Sequence, residues 1–390
     1  MESLRNLLEE IAKKNEYGRP NIAINPVSTG GGNFSSELFT VIVSESDKED
    51  LHLFAKIAIA GEMVRSQMPV DIFMMERLFY LDLLKKFQDI ETAHNVPKEK
   101  RLPVPKYYGS HTKLYEESIV LENLAEKGFI TYDRFKSIDW EYAAKAVESL
   151  AKFHALSMAY REKNRREFRE FVEKTQFEKE MLINMMSHMF EQRKITTLAV
   201  TTEKHKSKLQ KYLDTQINVK ALLDLFVSTQ RPVLNHGDYR TSNLMHRYNE
   251  DGTLEVMPVD FQTMIYMSPL YDLLYFIFLG TDEKFRRQHF QDLTDYYHQE
   301  LSNALRSLKL NPDAIYPKTA FELELKEMLP YGLVIAINGL PIITVETEDA
   351  PTMQGDDNTY EQFGNTKTGS LYPERMNGVI NDFFRWGIIE

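Results

Sequence analysis

The sequence predicts a two-lobed α+β fold, in which a small antiparallel β-sheet lobe is followed by a larger, mostly helical lobe. Segments with the composition of strands occur at residues 38–43, 51–58 and 118–124. Long helical periodicity starts after residue 139, and one hairpin-forming stretch at residues 233–260 interrupts it. We therefore expect residues 1–123 to form an N-terminal lobe and residues 124–390 to form a C-terminal lobe.

The composition is that of an ordinary globular protein. Of the 390 residues, 43% are hydrophobic and 27% are charged, which are values typical of folded domains. The formal net charge is −11 and there is no long basic segment, so we expect neither nucleic acid nor an anionic membrane surface as a partner. The chain has no cysteine, which excludes disulfides, thiolate nucleophiles and zinc–cysteine sites.

No segment of the sequence predicts export or membrane insertion. The first 15 residues have an amphipathic helical pattern with charges throughout, and they lack the apolar core of a signal peptide. The longest apolar stretch, at residues 331–343, is interrupted by Asn338, Gly339 and Pro341, and it is too short to cross a bilayer. We expect a cytoplasmic monomer without a membrane span.

A glycine run precedes the first clear strand. Gly30, Gly31 and Gly32 are followed by Asn33 and Ser36, whose side chains are hydrogen-bond donors. Glycine allows backbone amides to approach phosphate oxygens closely. The run matches neither the P-loop pattern nor G-x-G-x-x-G, and such runs are more often simple hairpin turns. We assign it to phosphate binding because of the residues that follow.

A lysine and a glutamate further along the chain are candidate partners. Lys56 lies within the strand-like segment L-H-L-F-A-K-I-A, where a lysine more often faces solvent. Glu76 shares one helix face with Phe73 and Tyr80, and a carboxylate on an apolar face needs a cationic partner. A glycine run, a strand lysine and a helix glutamate follow in the order of a pair that holds the α- and β-phosphates of a nucleotide.

The following segments predict the end of the small lobe and the first long helix of the large one. The segment V-L-E-N-L predicts a last strand that runs into a hinge at Glu122 to Leu124. Asp139 is a suitable N-cap for a helix that continues through L-A-K-F-H-A-L-S. We interpret His154 in that helix as a hydrogen-bonded core residue and not as a catalyst.

The stretch from residue 233 to residue 276 concentrates the polar residues that most strongly indicate chemistry. It reads H-G-D-Y-R-T-S-N, then a hairpin turn, then V-D-F-Q and S-P-L-Y-D. Phosphoryl transfer to a hydroxyl needs one carboxylate beside the attacking oxygen, and a carboxylate with an amide oxygen to hold magnesium. Asp238 fits the first position, and Asn243 and Asp260 fit the metal positions. An Asp-Gly turn at residues 251–252 would fold the strand before Asp260 back beside Asp238.

The remaining helical segments leave two questions open. Met181, Met185 and Met189 recur every four residues, which favours a core-facing stripe over the alternative, the wall of an adaptable apolar pocket. Residues 321–337 predict one helix, and residues 373–386 predict a closing helix. The polar residues 346–370 predict a long loop, either a lid or a surface loop.

The combination of motifs resembles the CHK kinase-like group, the ecdysteroid-kinase-like proteins of insects, within the choline kinase and aminoglycoside phosphotransferase superfamily. The resemblance rests on H-G-D-x4-N, V-D-F-Q and S-P-x-Y-D-L-x-Y-F, and it extends from the glycine run to about Tyr297. It implies a protein-kinase-like fold that binds ATP and Mg²⁺ between the lobes, with adenine at the hinge formed by Glu122 to Leu124. It also implies a lipophilic alcohol as substrate, such as an ecdysteroid or a xenobiotic, in hormone metabolism or detoxification.

The spacing after the second aspartate indicates a small-molecule acceptor. Only seven residues, 261–267, separate Asp260 from the Ser-Pro pair at 268–269, which is too short for the platform on which protein kinases dock a peptide. We therefore expect ATP-dependent phosphorylation of a small-molecule alcohol. One alternative is a choline- or aminoglycoside-type kinase that acts on a cationic alcohol. A second is a catalytically inactive kinase-like binding protein, with which the complete set of polar residues is less consistent.

Overall fold

In this computed structural model, which describes residues 1–27, 36–175, 178–351 and 359–390, the N-terminal part of the chain is built on a five-stranded antiparallel sheet. The strands are β1 (Asn21–Val27), β2 (Ser36–Ser44), β3 (Leu51–Ala58), β4 (Tyr107–His111) and β5 (Ser118–Glu122), in the spatial order β1-β2-β3-β5-β4. Lys56 on the central strand β3 lies opposite Leu38 of β2 and Ile119 of β5. The sheet therefore holds this lysine rigidly from both sides.

The first helix covers one face of this sheet. Helix α1 (Glu2–Lys14) buries Leu4, Leu7, Leu8 and Ile11, whose spacing of three and four residues places them on one side of the helix. They form a separate apolar cluster with Val41 and other inward-facing residues of β2, β3 and β5. Burial on this side leaves the opposite face of the sheet to pack against the helices that follow β3.

Those helices are α2 (Glu62–Gln67), α3 (Ile72–Leu78) and α4 (Leu84–Ala93), with a π-helical turn at Phe79–Leu83 between α3 and α4. Asp71 caps α3 by accepting hydrogen bonds from the backbone amides of Phe73 and Met74. The wider π turn inserts one extra residue into the helix, which changes the direction of the side chains after it, and such turns are frequent at functional sites. Glu76 lies in the last turn of α3, immediately before the change.

The C-terminal part of the protein is mostly helical, as the sequence predicts. The helices are α5 (Trp140–Lys163), α6 (Arg165–Lys174), α7 (Lys179–Val200), α8 (Glu203–Thr215), α9 (Val219–Val227), α10 (Leu270–Gly280), α11 (Glu283–Ser307), α12 (Pro312–Ile315), α13 (Lys318–Met328), α14 (Pro330–Ile343), α15 (Thr359–Gly364) and α16 (Tyr372–Arg385). Helix α5 is the central one, since it packs against α4, α11, β7 and β9. Asp139 caps it with a hydrogen bond from the amide of Tyr142, at 2.9 Å. The fold class predicted from the sequence is confirmed.

Two small sheets interrupt the helices. Strands β6 (Ile130–Thr131), β8 (Leu244–Tyr248) and β9 (Leu254–Pro258) form the first, and β7 (Val233–Asn235) with β10 (Ile265–Met267) forms the second. The predicted hairpin joins β8 to β9, and Gly252 in its turn has φ +81°. This hairpin brings the segment that follows Pro258 back beside the segment that precedes Leu244.

The structure corrects two of the predicted elements, the helix at 321–337 and the loop at 346–370. The single helix expected at 321–337 is two helices, because Pro330 has no amide hydrogen to continue α13 and instead begins α14. The expected loop at 346–370 contains a 3₁₀ turn at Thr347–Asp349 and helix α15, while residues 352–358 lie outside the described part. Among the described helices, none combines the length and apolar composition that a membrane crossing requires.

Candidate active site

A buried aspartate fixes the backbone of the loop that follows β7. Asp272, in the first turn of α10, is fully buried and accepts hydrogen bonds from the amides of His236 (2.6 Å) and Gly237 (2.9 Å). His154 lies 3.4 Å from the same carboxylate through Nε2, and its Nδ1 lies 2.6 Å from the hydroxyl of Tyr297. His154 is thus the hydrogen-bonded core residue that we expected. Asp272 belongs to the S-P-x-x-D motif, for which the sequence suggested no role.

The glycine before Asp238 is required by a close backbone contact. Gly237 has φ +87°, and a Cβ atom at this position would lie 1.9 Å from the carbonyl oxygen of Thr263. The hydroxyl of Thr263 in turn donates to the carbonyl of His236, at 3.2 Å. No side chain fits here, so the two loops that carry Asp238 and Asp260 approach each other more closely than any other residue would permit.

Three donors surround the carboxylate of Asp238. Its Oδ1 accepts from the hydroxyl of Tyr275 at 2.8 Å, and its Oδ2 accepts from Nε of Arg240 at 3.0 Å and from Nδ2 of Asn243 at 2.8 Å. Burial raises the pKa of this carboxyl, but the charge of Arg240 and the hydrogen bond from Tyr275 outweigh it, and the pKa lies below its ordinary value. Asp238 is therefore an ionised, oriented carboxylate at neutral pH.

Asp260 follows β9 and has a strained backbone. Its φ is +71°, in the left-handed region that aspartate tolerates better than most residues. The next residue, Phe261, stacks on Phe79 of the π turn with ring centroids 3.6 Å apart. His236 ties the segment to the loop of Asp238, since its Nε2 lies 2.9 Å from the carbonyl of Val259. Strain held by such packing is common at functional sites.

Lys56 joins the sheet to this segment. Its Nζ donates to both carboxylate oxygens of Glu76 at 3.0 Å and to Oδ1 of Asp260 at 2.5 Å. Lys56 is 9% exposed and Glu76 is 4% exposed. Burial lowers the pKa of the ammonium, but Asp260 and Glu76 outweigh it and raise the pKa above its ordinary value. The structure thus forms the lysine–glutamate pair that the order of the elements predicted, and it adds Asp260 as a third member.

A cavity of about 530 Å³, which we name the cleft cavity, lies between the sheet and the helical part. Five of the predicted site residues line it: Lys56, Glu122, Leu124, Asn243 and Asp260. Apolar side chains that include Leu38, Phe54, Leu121 and Met245 complete its walls. The carboxylate of Glu122 is already occupied, because it accepts from the amide of Lys106 and pairs with Lys127.

A second cavity of about 260 Å³, which we name the methionine cavity, lies on the other side of the loop that carries Asp238. Its walls include Met185, Met186 and Met189 of α7, Tyr271 and Tyr275 of α10, Ile335 and Asn338 of α14, and Gly237, Asp238 and Arg240. The methionine repeat thus has features of both interpretations, the core-facing stripe and the wall of an apolar pocket. Met185 packs against the core and also lines the cavity, while Met181 is not among the residues of the wall.

One hydrogen bond links the two cavities. Asn243 lines the cleft cavity, Asp238 lines the methionine cavity, and a 2.8 Å hydrogen bond joins their side chains. The donated hydrogens of Asn243 point to Asp238, which leaves its amide oxygen as the atom suited to a cation. No group of three or more histidine, aspartate or glutamate side chains in the described part of the chain is arranged as a metal site.

Not every predicted residue lies at a cavity. Ser36 begins β2 and is buried, opposite Ala58 of β3, and it is not among the residues that line the cleft cavity. Glu76 lies behind Lys56 and not on the cavity wall. The predicted phosphate-binding residues Gly30, Gly31, Gly32 and Asn33 lie outside the described residues. The roles assigned to all of these residues remain predictions.

Four residues near Asp238 or the methionine cavity have no role assigned from the sequence: Arg240, Tyr275, Asp272 and Asn338. Arg240 and Tyr275 both contact Asp238, and they stand within the H-G-D-x4-N and S-P-x-Y-D-L-x-Y-F motifs. Tyr275 could have been singled out from the sequence, because it stands three residues after Asp272 and therefore on the same side of α10. Asn338 stands far from the motifs in sequence, and only its position as a polar residue in an apolar helix distinguishes it.

Three solved structures of aminoglycoside phosphotransferases are among the matches to this chain. A type VIII aminoglycoside-3'-phosphotransferase is 14% identical and covers 84% of this chain and 100% of its own, with a TM-score of 0.35. An aminoglycoside phosphotransferase from Streptomyces rimosus, solved with ADP and streptomycin, is 13% identical and covers 84% and 99%, with a TM-score of 0.33. The GDP complex of a point mutant of aminoglycoside 2'-phosphotransferase-IIIa is 12% identical and covers 84% and 94%, with a TM-score of 0.40.

Comparison with curated proteins gives no match. The model of the ecdysteroid kinase-like family, in contrast, matches residues 30–310, which is well over half of the chain. The match spans β2 to α11 and includes the lysine–glutamate pair, the loop of Asp238 and the segment of Asp260. It agrees with the resemblance that the H-G-D-x4-N and V-D-F-Q motifs indicated. The chain belongs to the ecdysteroid kinase-like family.

Proposed function

We propose that this protein is an ATP- and Mg²⁺-dependent kinase that phosphorylates a hydroxyl of a lipophilic alcohol, such as an ecdysteroid or a xenobiotic. The observation that carries the proposal is the pair of cavities on either side of the Asn243–Asp238 hydrogen bond. A nucleotide in the cleft cavity and an alcohol in the methionine cavity would meet at Asp238. Phosphoryl transfer requires this kind of in-line meeting of two separately bound substrates.

The cleft cavity suits a nucleotide. Its apolar walls, which include Phe54 and Leu121, suit the two faces of a purine, and the adjoining backbone at Glu122 to Leu124 is the proposed adenine contact. At the other end, Lys56 is a fixed cation beside the proposed phosphate position, held by Glu76. An ammonium that is already oriented loses little entropy when it binds the α- and β-phosphates.

The residues present fit a magnesium ion bound together with the nucleotide. Asp260 and Asn243 offer carboxylate and amide oxygens, which are the hard ligands that Mg²⁺ prefers, and both line the cleft cavity. The ion, when bound with ATP, would neutralise charge on the phosphates. Asp260 also contacts Lys56, so the same segment aligns the lysine with the metal position.

Asp238 is the proposed catalytic residue. It accepts a hydrogen bond from the acceptor hydroxyl, which aligns the oxygen with the terminal phosphorus of ATP. The proton passes to the carboxylate late, as the new oxygen–phosphorus bond forms and the bond to ADP breaks, because a carboxylate of low pKa does not deprotonate an alcohol beforehand. The hydrogen bonds from Arg240 and Tyr275 keep the carboxylate ionised and correctly oriented until that moment.

The methionine cavity favours an uncharged, apolar acceptor. Of its described lining residues, only Asp238 and Arg240 are charged, and they form an ion pair with each other. A cationic alcohol would thus find no unmatched carboxylate and would meet the positive charge of Arg240. Methionine side chains adapt their shape to varied apolar ligands. These features argue for a lipophilic alcohol over the choline- or aminoglycoside-type alternative.

Release of ADP, measured over a panel of acceptors, tests the proposal. Steroid alcohols and phenolic glycosides should stimulate ADP release in the presence of Mg²⁺, and amino alcohols should not. Asp260→Ala serves as the inactive control. Release with amino alcohols alone would favour the cationic alternative. Nucleotide binding without ADP release for any acceptor would identify a catalytically inactive binding protein.

A further inference from the structure

One buried carboxylate of this protein lacks the partners that the others have. The buried acidic side chains of the described residues are those of Glu76, Glu91, Asp272, Glu324 and Asp382. In all of them except Glu91, both carboxylate oxygens accept a hydrogen bond from the protein. Glu91 is 5% exposed and accepts one hydrogen bond, at Oε1 from the backbone amide of Leu102, at 2.8 Å. A buried carboxylate with one bare oxygen is costly unless a further group pairs with it.

The second oxygen of Glu91, Oε2, is within reach of a ligand. It accepts no hydrogen bond from the described residues, and none of their lysine, arginine or histidine side chains forms an ion pair with Glu91. It is also not among the unpartnered side-chain atoms that the protein fully encloses, so it retains accessible surface. Burial raises the pKa of this carboxyl, and the amide of Leu102 and the charges of Arg101 and Lys152 offset the effect only in part. Oε2 is therefore an accessible acceptor, and the protein does not fully balance its charge.

Glu91 lines a third cavity of about 450 Å³, which we name the glutamate cavity. It lies between α4 with the loop after it, α5 and α11, and none of its lining residues lines the cleft cavity or the methionine cavity. Because the side chain of Glu91 is otherwise buried, the surface that Oε2 retains opens into this cavity. The site is thus separate from Asp238 and from the proposed kinase reaction.

The other charged groups of the described wall leave an excess of negative charge. Glu148 and Lys152 pair with each other at 2.9 Å, so their charges cancel. Glu91 and Glu300 then face one remaining cation of the described wall, the exposed Lys100. A ligand that complements this wall therefore carries a positive charge for Oε2 of Glu91.

Apolar side chains complete the wall, among them Val96, Leu156 and Leu308. A metal ion needs oxygen ligands on most sides and finds none on this part of the wall, whereas an organic cation buries its carbon chain against it. We propose that the glutamate cavity binds a small organic ammonium compound, which donates from its ammonium to Oε2 of Glu91 and packs its carbon chain against the apolar side chains. Hydrogen bonds between an ammonium and a carboxylate are stronger than those between neutral groups. The ligand thereby supplies the partner that the protein does not provide.

The test compares n-butylamine, which is protonated at neutral pH, with 1-butanol, which has nearly the same shape and no charge. Binding to the full-length protein is measured by saturation-transfer NMR titration and by the shift of the unfolding temperature, in about 0.15 M salt, which screens exposed carboxylates. The wild-type protein should bind the amine with a dissociation constant in roughly the millimolar range, and at least about tenfold more tightly than the alcohol. Glu91→Gln keeps an acceptor for the amide of Leu102 and loses the charge, so it should lose this preference.

Two further variants separate a specific site from general attraction to an acidic protein. Glu99→Gln removes a charge from the exposed 3₁₀ turn Lys98–Lys100, outside the cavity wall, and should keep the preference. Ala304→Leu narrows the cavity and leaves Glu91 in place, so it should weaken binding of the amine, and it repeats the test if Glu91→Gln does not fold. The inference is overturned if the wild-type protein does not bind the amine or binds both compounds equally. An unchanged preference in Glu91→Gln, or unchanged amine binding in Ala304→Leu, would also overturn it.

Discussion

The two cavities on either side of Asp238 are built in opposite ways. In the cleft cavity the polar groups form a connected set, since Lys56 contacts Glu76 and Asp260 directly. The described wall of the methionine cavity has a single ion pair, and most of the rest is methionine, aromatic and aliphatic side chains, with the uncharged polar side chains of Gln67, Thr263 and Asn338. One cavity holds charges at fixed positions, and the other presents a surface that can adapt its shape.

The difference follows from what each side would have to bind. Phosphates and a metal ion are the same in every reaction of this class, so fixed charges can be placed for them in advance. An organic acceptor varies in shape, and apolar contacts with flexible methionines accommodate such variation at little cost. Substitutions in the cleft cavity should therefore abolish activity for every acceptor, whereas substitutions in the methionine cavity should change which acceptor is used.

The largest effect is expected from Asp260→Ala. The change removes the proposed metal carboxylate and one of the two carboxylates that hold Lys56. Turnover should fall by at least about a thousandfold with every acceptor, because charge on the transferred phosphoryl group is no longer neutralised. The measurement is the Mg²⁺ dependence of ADP release.

Two further variants sharpen this result. Asn243→Ala should lower turnover less and raise the Mg²⁺ concentration needed for half-maximal rate. Asp251→Ala, in the exposed turn between β8 and β9, removes a carboxylate from the same hairpin and should leave both quantities unchanged. A wild-type Mg²⁺ dependence in Asp260→Ala would remove this residue from the metal site.

Asp238→Asn should lower turnover by a factor of about a hundred to ten thousand, the usual contribution of a general base. Asparagine keeps the size of the side chain, but its amide group cannot accept from Arg240, Asn243 and Tyr275 together. Nucleotide affinity should hardly change, because Asp238 lines the other cavity. A variant that loses nucleotide binding and keeps its turnover per bound nucleotide would instead place Asp238 among the metal ligands.

The contrast between the cavities also explains which parts of the site and of the fold could be predicted from the sequence. The proximity of Lys56 to Glu76 was predictable because a strand lysine and a buried helix glutamate need each other as partners, and the structure forms this contact. Asn243 and Asp260 line one cavity with Lys56, while the roles assigned to all four residues remain predictions. The small sheet and the helical lobe were predictable because periodicity and turn residues are local signals. The division of 321–337 into two helices was not predicted, although Pro330 marks it.

The methionine cavity was not predictable to the same extent. Its wall is assembled from α7, α10, α14 and the loop after β7, and Asn338 of α14 is 152 residues from Met186 of α7 in sequence. Apolar residues at helical spacing have the same pattern whether they face a packed core or an empty space, so the position of Met185 could not be decided from its repeat. Asp272 holds the loop that carries Asp238 through backbone amides, which carry no sequence signal.

The pair of Lys56 and Glu76 tests whether the charges of the cleft cavity act as a unit. Lys56→Ala and Glu76→Ala should each lower turnover, and the double variant should be little worse than Lys56→Ala alone. The reason is that Glu76 is buried behind Lys56 and acts by orienting it. A double-mutant cycle on kcat/KM provides the measurement, and independent effects of the two changes would show that the pair does not operate as a unit during turnover.

Gly237→Ala should reduce stability where the two cavities adjoin. The φ of +87° is strained for alanine, and the new methyl group would collide with the carbonyl of Thr263. Gly128 is a matched control, because its φ is +80° and a Cβ atom there would meet nothing within 4 Å. Gly128→Ala should lower the free energy of unfolding by about 1–2 kcal/mol, from backbone strain alone. Gly237→Ala should lower it clearly more in denaturant titrations, and equal losses would argue against the close contact.

The smallest and most specific effect is expected from Tyr275→Phe. Burial raises the pKa of Asp238, while Arg240 and the hydrogen bond from Tyr275 lower it, so removal of the hydroxyl should move this pKa upward. The acidic limb of the profile of kcat/KM against pH should therefore shift to higher pH, with a loss of less than about tenfold at neutral pH.

The same variant should also change the pH dependence of stability. Because the folded-state pKa of Asp238 is depressed, the stability that this carboxylate contributes is present above the ordinary aspartate pKa and is lost as the pH falls. Tyr275→Phe should therefore lose more stability at neutral pH than at acidic pH. Tyr271→Phe changes a tyrosine of the same helix and cavity that does not contact Asp238, and it should leave the acidic limb in place. If the limb moves equally in both variants, the hydroxyl of Tyr275 does not set the ionisation of Asp238.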